Sequence, residues 1–398
     1  MYNNVKTKMI NYLLQTKNKA VEYIKNNPGF DACFLVFFSL FKYDSILEIP
    51  IFHFIYITLP FYLCIILLIY FFFIKKKKPS VLLISLMVFS LWMAVDRLRY
   101  YGFSIAPHRL SYYQIDAGLL IELFYKEDYE NLLTALLCNC EIAIYLDTIT
   151  KLFNLMNGLP KEETFTGYYN NTLLFALPAI CVAALYIKMS KKYTRGTILI
   201  ITSVILCFLS TAGTPKGGIL AFFMVVIMEN LLFYKLKATK KRIWVWVLLA
   251  VVFNVFVLFL YRPGTITFLD SFITNVLHRS TDFSGRTTIW NKAIESIIEH
   301  PIIGIGYKIS APNMMHAHNM YLEILMEYGI IGLALFAGFN YLYISEIDKK
   351  RDDFMKIIFV ALIFSMFISF IIDYYSRFHL FVIMILMIYY YCVKESDV

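Results

Sequence analysis

An all-helical polytopic membrane protein is the fold class that this sequence predicts, and three observations carry it. Hydrophobic residues make up 60% of the 398 residues and charged residues only 16%, whereas soluble domains carry about 45–50% apolar and about 25% charged residues. Apolar runs of membrane-spanning length recur from residue 31 to residue 393. The basic residues stand in short clusters between those runs, which is how a membrane protein sets its topology. Together these exclude a soluble enzyme, a disordered chain, a secreted disulfide scaffold and, despite a net charge of +9, a nucleic-acid binder.

The elements follow in order. Residues 1–30 are polar and basic and read as a cytoplasmic tail. No small-residue cleavage site follows the first apolar run, so no signal peptide is expected. A helix needs roughly 20 apolar residues to cross a bilayer. Spans are predicted near 31–46, 51–74, 80–96, 131–150, 172–188, 196–213, 217–234, 243–261, 318–345, 357–373 and 378–393. A twelfth candidate, 111–125, carries Asp116 and Glu122. Parity decides in its favour. If the basic clusters at 1–30, Lys75–Lys78, 188–195, 235–242 and 346–356 all lie inside, an even number of crossings separates each pair, and only 111–125 restores that between Lys78 and Lys188. About twelve transmembrane helices result, with both termini cytoplasmic. The seven cysteines lie in or beside apolar stretches without zinc spacing and read as small buried hydrophobes.

The segments placed inside total 71 residues and hold 24 Lys+Arg, of which 3 are Arg. The other 327 hold 13, of which 7 are Arg: Arg97, Arg99, Arg109, Arg262, Arg279, Arg286 and Arg377. Most fall at outer span ends or in outer loops. Arg pairs bidentately with phosphate and keeps its charge. An Arg-rich outer face thus points to an anionic ligand, with lipid phosphates at the interface as the alternative. No internal repeat is visible. The chain reads as one membrane domain over 1–398, with an outer loop at 262–317 folded over it.

Within that loop, Ser284 is the expected N-cap and Pro301 the stop of an amphipathic helix suited to the membrane surface. Ile289, Ala293 and Ile297 form one apolar row, and Trp290, Ile294 and Ile298 the next. Arg286 stands at its N-terminus on the apolar side, where helix amides already favour anions. It reads either as a phosphate ligand or as an Arg snorkelling to lipid headgroups. Gly304-x-Gly306 reads as a tight turn returning the chain to the membrane. His316-Ala-His318-Asn319-Met-Tyr321 then opens a long span. Metal ligation finds no convincing third and fourth ligand, and Glu323 is the sole close carboxylate. A histidine at a span mouth fits a general base better, and packing remains the alternative. Gly329, Gly332, Ala334, Ala337 and Gly338 read as close-packing residues of that span. Lys216, in the break Thr214-Pro215-Lys216-Gly217-Gly218, is either an interfacial turn residue or a cation with a task. Asn171 opens another span as a helix cap or a sugar ligand.

Over roughly 282–336 the chain resembles the O-antigen ligase and O-antigen polymerase family of bacterial envelope glycosyltransferases. The matching residues are Gly285-Arg286-Thr287-x-Ile289-Trp290, Pro301-x-x-Gly304-x-Gly306, His318-Asn319-x-Tyr321-Leu322 and Glu327-x-Gly329-x-x-Gly332-Leu333. Weaker matches lie at Asn171 and around Lys216, where the family usually has Ser-Arg-Gly and this chain has Pro-Lys-Gly. The resemblance implies a GT-C-like, metal-independent membrane glycosyltransferase of the bacterial inner membrane, its site facing the periplasm. It implies no cofactor. The donor would be an undecaprenyl-diphosphate-linked glycan, and the acceptor a hydroxyl of a second lipid-linked glycan or of lipid A core. Membrane lipid and chain-length regulator proteins are the other partners expected.

In that picture Arg286 and Lys216 hold the diphosphate, and His318 orients or deprotonates the acceptor hydroxyl. Asn171, Arg279, Asn319 and Tyr321 are the further substrate-binding candidates, and His316 falls outside the matched motif. The short loop and small chain lean toward a polysaccharide polymerase, with an O-antigen ligase as the first alternative. A lipid-linked glycan flippase is the second, against which stand the missing repeat symmetry and the amphipathic outer helix.

Overall fold

The computed structural model describes residues 28–41, 43–105, 108–126, 128–159, 163–168, 171–209, 216–230, 242–260, 266–271, 274–275, 286–306, 316–348, 353–372 and 376–396. Among the described residues the architecture is helical apart from a two-residue antiparallel pairing, β1 (Glu163–Thr164) with β2 (Gly167–Tyr168). The helices are α1 (Pro28–Phe41), α2 (Pro50–Ile74), α3 (Val81–Tyr101), α4 (Arg109–Phe124), α5 (Tyr129–Met156), α6 (Asn171–Ser190) and α7 (Tyr193–Leu209). After them come α8 (Lys216–Met228), α9 (Arg242–Val255), α10 (Thr267–Ser271), α11 (Arg286–Glu299), α12 (Met320–Asp348), α13 (Asp353–Ile372) and α14 (Ser376–Ser396).

Each of the twelve expected spans overlaps a helix among the described residues. Four described helices are long and apolar enough to cross a bilayer: Pro50–Ile74, Val81–Arg99, Tyr129–Met156 and Met320–Ile347. Seven shorter apolar helices accompany them. The apolar surface divides as a bilayer-embedded bundle requires. Ile65, Ile66, Ile69 and Phe73 of α2 and Leu248 and Val252 of α9 are exposed, while residues 174–186 of α6 and 378–389 of α14 are buried throughout.

The ambiguous segment 111–125 is α4, and its burial explains its composition. All its residues from Leu110 to Leu123 except Tyr112 are buried, so its polar side chains meet protein rather than lipid. Gln114 accepts from Ser90 Oγ at 2.7 Å. Glu122 accepts from the Ser80 amide at 3.2 Å, the Ser80 hydroxyl and Tyr391 Oη at 2.6 Å. Lys77 Nζ donates to the Leu123 carbonyl at 2.8 Å.

These contacts gather the start of α3 with the ends of α4 and α14 at one end of the bundle, here the lower end. At the upper end, Arg97 Nη2 of α3 donates to Tyr328 Oη of α12 at 3.1 Å. Thus α4 runs back antiparallel beside α3. The β-hairpin closes the same upper end: Asp147 of α5 accepts from the Thr166 amide at 2.8 Å and its hydroxyl at 2.7 Å. Ser45 Oγ, just past α1, donates to the Phe165 carbonyl at 2.7 Å.

One element departs from expectation. The span 318–345 is not a continuous helix, because Gly329 breaks α12 with φ 63° and ψ −164°. Gly329 is a helix breaker here, and its close approach is to the backbone of the preceding loop.

Candidate functional site

The break in α12 frees backbone groups that the preceding loop satisfies. The Ile305 and Gly306 amides donate to the carbonyls of Met326 and Glu327 at 2.8 and 3.0 Å. Ile330 N–H donates to the Pro301 carbonyl at 2.9 Å, and Ile331 N–H to that of Ile302 at 3.3 Å. Irregular backbone survives at membrane depth only when protein satisfies it in this way. The two chains approach so closely that side chains are excluded. A Cβ on Gly304 (φ 70°) would sit 2.5 Å from the Glu327 carbonyl, and one on Gly329 would overlap that of Ile302. Pro301-x-x-Gly304-x-Gly306 and Glu327-x-Gly329 are therefore two halves of one joint.

On one side of this joint lies α11, beginning at Arg286, whose side chain is half-buried. Trp290 and Ala293 are buried against Val257, Leu322, Met326 and Ile371. The apolar face of α11 thus docks on protein, mainly α12, rather than on lipid, and Ile298, assigned to an apolar row, is 72% exposed. The expected N-cap Ser284 lies outside the described residues.

On the other side is the segment 316–319. Asn319 caps α12, its Oδ1 accepting from the Tyr321 and Leu322 amides at 3.0 and 3.1 Å. Its Nδ2 donates to Asn254 Oδ1 at 3.3 Å and to the Ile371 carbonyl at 3.2 Å. Tyr321 stacks on Phe367 and donates to that residue's carbonyl at 3.4 Å. His318 is half-buried and takes φ 49°, a left-handed backbone uncommon for a non-glycine residue. The buried Trp290 Nε1 donates to the Ala317 carbonyl at 2.9 Å, and the Ala317 amide donates to Glu323 Oε2 at 2.7 Å. Arg286's helix and His318's loop are thus joined through one peptide unit.

The structure brings His318, Asn319 and Tyr321 together and ties them to the Arg286 helix. Lys216 is the first residue of α8 and Asn171 the first of α6, but their side chains, and all of Arg279, lie outside the described residues. Arg97, counted in the Arg-rich outer group, is buried in a bond to Tyr328, and Arg99 pairs with Asp96 at 3.3 Å. Sequence reasoning did not assign Glu323, which also bonds His316 Nδ1 at 3.0 Å, nor the polar contact of Asn254. The available signal was the spacing of Glu323, seven residues past His316 and one turn into the helix.

The fold and this joint define a multi-helix membrane protein with a polar site at one end of its bundle. Residues 198–337 match the family model described as O-antigen ligase, so this part of the chain is similar to that family. Three Rickettsia proteins bearing the provisional name polysaccharide ligase are similar to it. The R. prowazekii protein is 34% identical over 84 residues, covering 17% of this chain and 21% of the relative. The R. typhi protein is 35% identical over 84 residues with the same coverage. The R. conorii protein is 32% identical over 107 residues, covering 22% of this chain and 26% of the relative. The matches thus span about a quarter or less of those relatives. No solved structure matches the chain.

Proposed function

We propose that this protein is a GT-C-like membrane glycosyltransferase of about twelve spans that moves a glycan from undecaprenyl diphosphate to a sugar hydroxyl during bacterial surface polysaccharide synthesis. The observation that carries the reading is the junction of the Arg286 helix with the His316–Asn319 loop through Trp290 and Ala317, inside the segment matched to the O-antigen ligase family. The upper end of the bundle is the periplasmic end, and both termini are cytoplasmic.

Arg286, at the first turn of α11, and Lys216, at the first turn of α8, grip the leaving diphosphate, and Arg279 is a further substrate-binding candidate. Both are cations at helix N-termini, which stabilises the charge that develops on the leaving group. His318 acts on the acceptor hydroxyl, and Asn171, Asn319 and Tyr321 complete the substrate-binding surface. Membrane lipid surrounds the site, and chain-length regulator proteins are the expected accessory partners. The small chain and short outer loop favour a polymerase, whose acceptor is another lipid-linked glycan. The printed names of the family model and of the Rickettsia relatives favour the second reading, a ligase acting on lipid A core.

A lipopolysaccharide or capsule gel from a deletion strain separates them. Loss of a polymerase leaves single repeat units attached, whereas loss of a ligase leaves none attached and polymer on the lipid carrier. An unchanged gel pattern would remove both readings.

A further inference from the structure

We propose that the groove between the start of α5 and the end of α6 binds a zwitterionic phospholipid headgroup, one that carries both a phosphate and a primary ammonium. The groove lies at the lower end of the bundle, opposite the end that holds the His316–Asn319 loop. The proposal therefore stands apart from the glycosyl-transfer reading.

The way α6 ends builds one wall. The Ser190 hydroxyl donates to the Tyr186 carbonyl at 2.7 Å and accepts from the Lys192 amide at 3.2 Å. Lys191 takes φ 56°, and its amide donates to the Ile187 carbonyl at 2.9 Å. A left-handed residue commonly closes a helix, though glycine or asparagine usually fills that position. Here the turn brings Lys192 to the groove. The other wall is the first two turns of α5, where Glu130 and Thr134 stand four residues apart and share a helix face. Tyr186 lines the groove as well and carries the Arg195 guanidinium over its ring at 5.9 Å. That guanidinium is held by Glu141 at 2.7 and 2.5 Å.

Three features of the groove select the ligand. It opens over about 260 Å³, below the about 300–1,000 Å³ of sites that take drug-sized ligands, which suits a headgroup and not a nucleotide or a glycan. Its charged lining residues are Lys192 and Glu130. Among the described residues neither is engaged in an ion pair, so these opposite charges do not neutralise each other. A ligand with a phosphate for Lys192 and an ammonium for Glu130 satisfies both. A purely anionic headgroup would set its charge against Glu130, and a quaternary ammonium has no N–H to donate to that carboxylate. Finally, Tyr125, Tyr129, Tyr186 and Tyr193 gather at this end, as aromatic side chains do at the level of lipid headgroups. Exposed Lys188 and Lys191 stand beside the groove and add attraction for a phosphate.

The test uses the full-length protein, stripped of lipid by detergent exchange. It is titrated with phosphatidylethanolamine, phosphatidylglycerol and phosphatidylcholine of identical acyl chains, and bound lipid is counted by native mass spectrometry. Phosphatidylethanolamine is expected to be retained over each of the others by about threefold or more, the scale of one partly exposed ion pair. E130Q is expected to lower its retention to that of phosphatidylcholine, and K192A to weaken all three lipids. T134W, which fills the groove, is expected to abolish the preference at an unchanged size-exclusion profile. K126A removes an exposed cation at the same end that does not line the groove and is expected to leave the preference intact. Equal retention of phosphatidylethanolamine and phosphatidylcholine by the unmodified protein would overturn the proposal, as would a preference for phosphatidylglycerol. A loss in K126A equal to that in E130Q would reduce the site to a diffuse basic surface and overturn it too. Displacement of the lipid by soluble glycerophosphoethanolamine at equal concentration would overturn the assignment to a lipid.

Discussion

The Trp290 indole N–H donates to the Ala317 carbonyl across 2.9 Å, and both residues are buried. These residues stand 27 positions apart, on the two segments that carry the cation and the histidines of the site. A buried hydrogen bond, beside the apolar packing of α11, therefore ties the Arg286 helix to the loop that carries the histidines. Trp290→Phe keeps the ring's apolar bulk and strands the carbonyl. Leaving one buried acceptor unsatisfied costs about 1–3 kcal/mol. Thermal unfolding in detergent is expected to show a moderate loss, and turnover to fall further than that loss accounts for. Unchanged turnover would mean that the two segments do not act together.

The joint between the Pro301–Gly306 loop and the break in α12 predicts a sharp asymmetry among glycines. Gly304→Ala and Gly329→Ala each force a side chain into a positive-φ backbone already in contact with a carbonyl. Each is expected to destabilise by at least about 1–3 kcal/mol. Gly338→Ala, later in the same helix, meets no atom within 4 Å and is expected to be neutral or stabilising by up to about 1 kcal/mol. The three variants, compared by monodisperse yield and melting temperature, check this. Equal behaviour of Gly329→Ala and Gly338→Ala would remove the break as a built feature.

Topology follows from the partition of basic residues and from the return pass of α4. Hypothesis: positions 240 and 282, both outside the described residues, lie on opposite sides of the membrane, with 282 outside. On a Cys-free background, an impermeant maleimide added to intact cells is expected to label Asp282→Cys and not Lys240→Cys. Labelling of Lys240→Cys from outside would invert the map and place the histidines on the cytoplasmic side.

Much of this architecture is legible in the sequence because lipid imposes a simple rule: long apolar runs become helices. A helix stands at α4 too, although Asp116 and Glu122 hide it from a hydropathy criterion. What hides from sequence is tertiary satisfaction of polar groups. Glu323 reads as an isolated carboxylate until the loop folds back and presents the Ala317 amide and the His316 ring to it. Gly329 reads as a packing residue because its spacing to Gly332 and Ala337 suits a helix face, and only the approach of Ile302 gives it another role. The amphipathic pattern of α11 shows that one face is buried, and it cannot show whether protein or lipid covers that face. Arg97 likewise counts as an outer cation in the sequence and is an internal donor to Tyr328 in the fold.

Arg286 and His318 are predicted to fail in different ways if, as proposed, they serve opposite ends of one transition state. In the proposed reaction Arg286 would hold the leaving diphosphate, so Arg286→Ala is expected to abolish transfer and weaken binding of fluorescent undecaprenyl diphosphate. Losing one positioned phosphate donor costs about 100-fold or more in rate. Arg286→Lys keeps the charge without the bidentate fork and is expected to rescue only partly. Lys216 tests the same idea in reverse, since Lys216→Arg creates the residue usual in the family and is expected to keep or raise turnover, whereas Lys216→Ala lowers it. In the same proposal His318 acts on the acceptor, so His318→Ala is expected to abolish transfer while leaving probe binding nearly intact. The decisive comparison is binding against turnover for purified variants of matched size-exclusion profile. Loss of probe binding in His318→Ala, with normal binding in Arg286→Ala, would exchange the two roles and send the diphosphate to the α12 side of the joint.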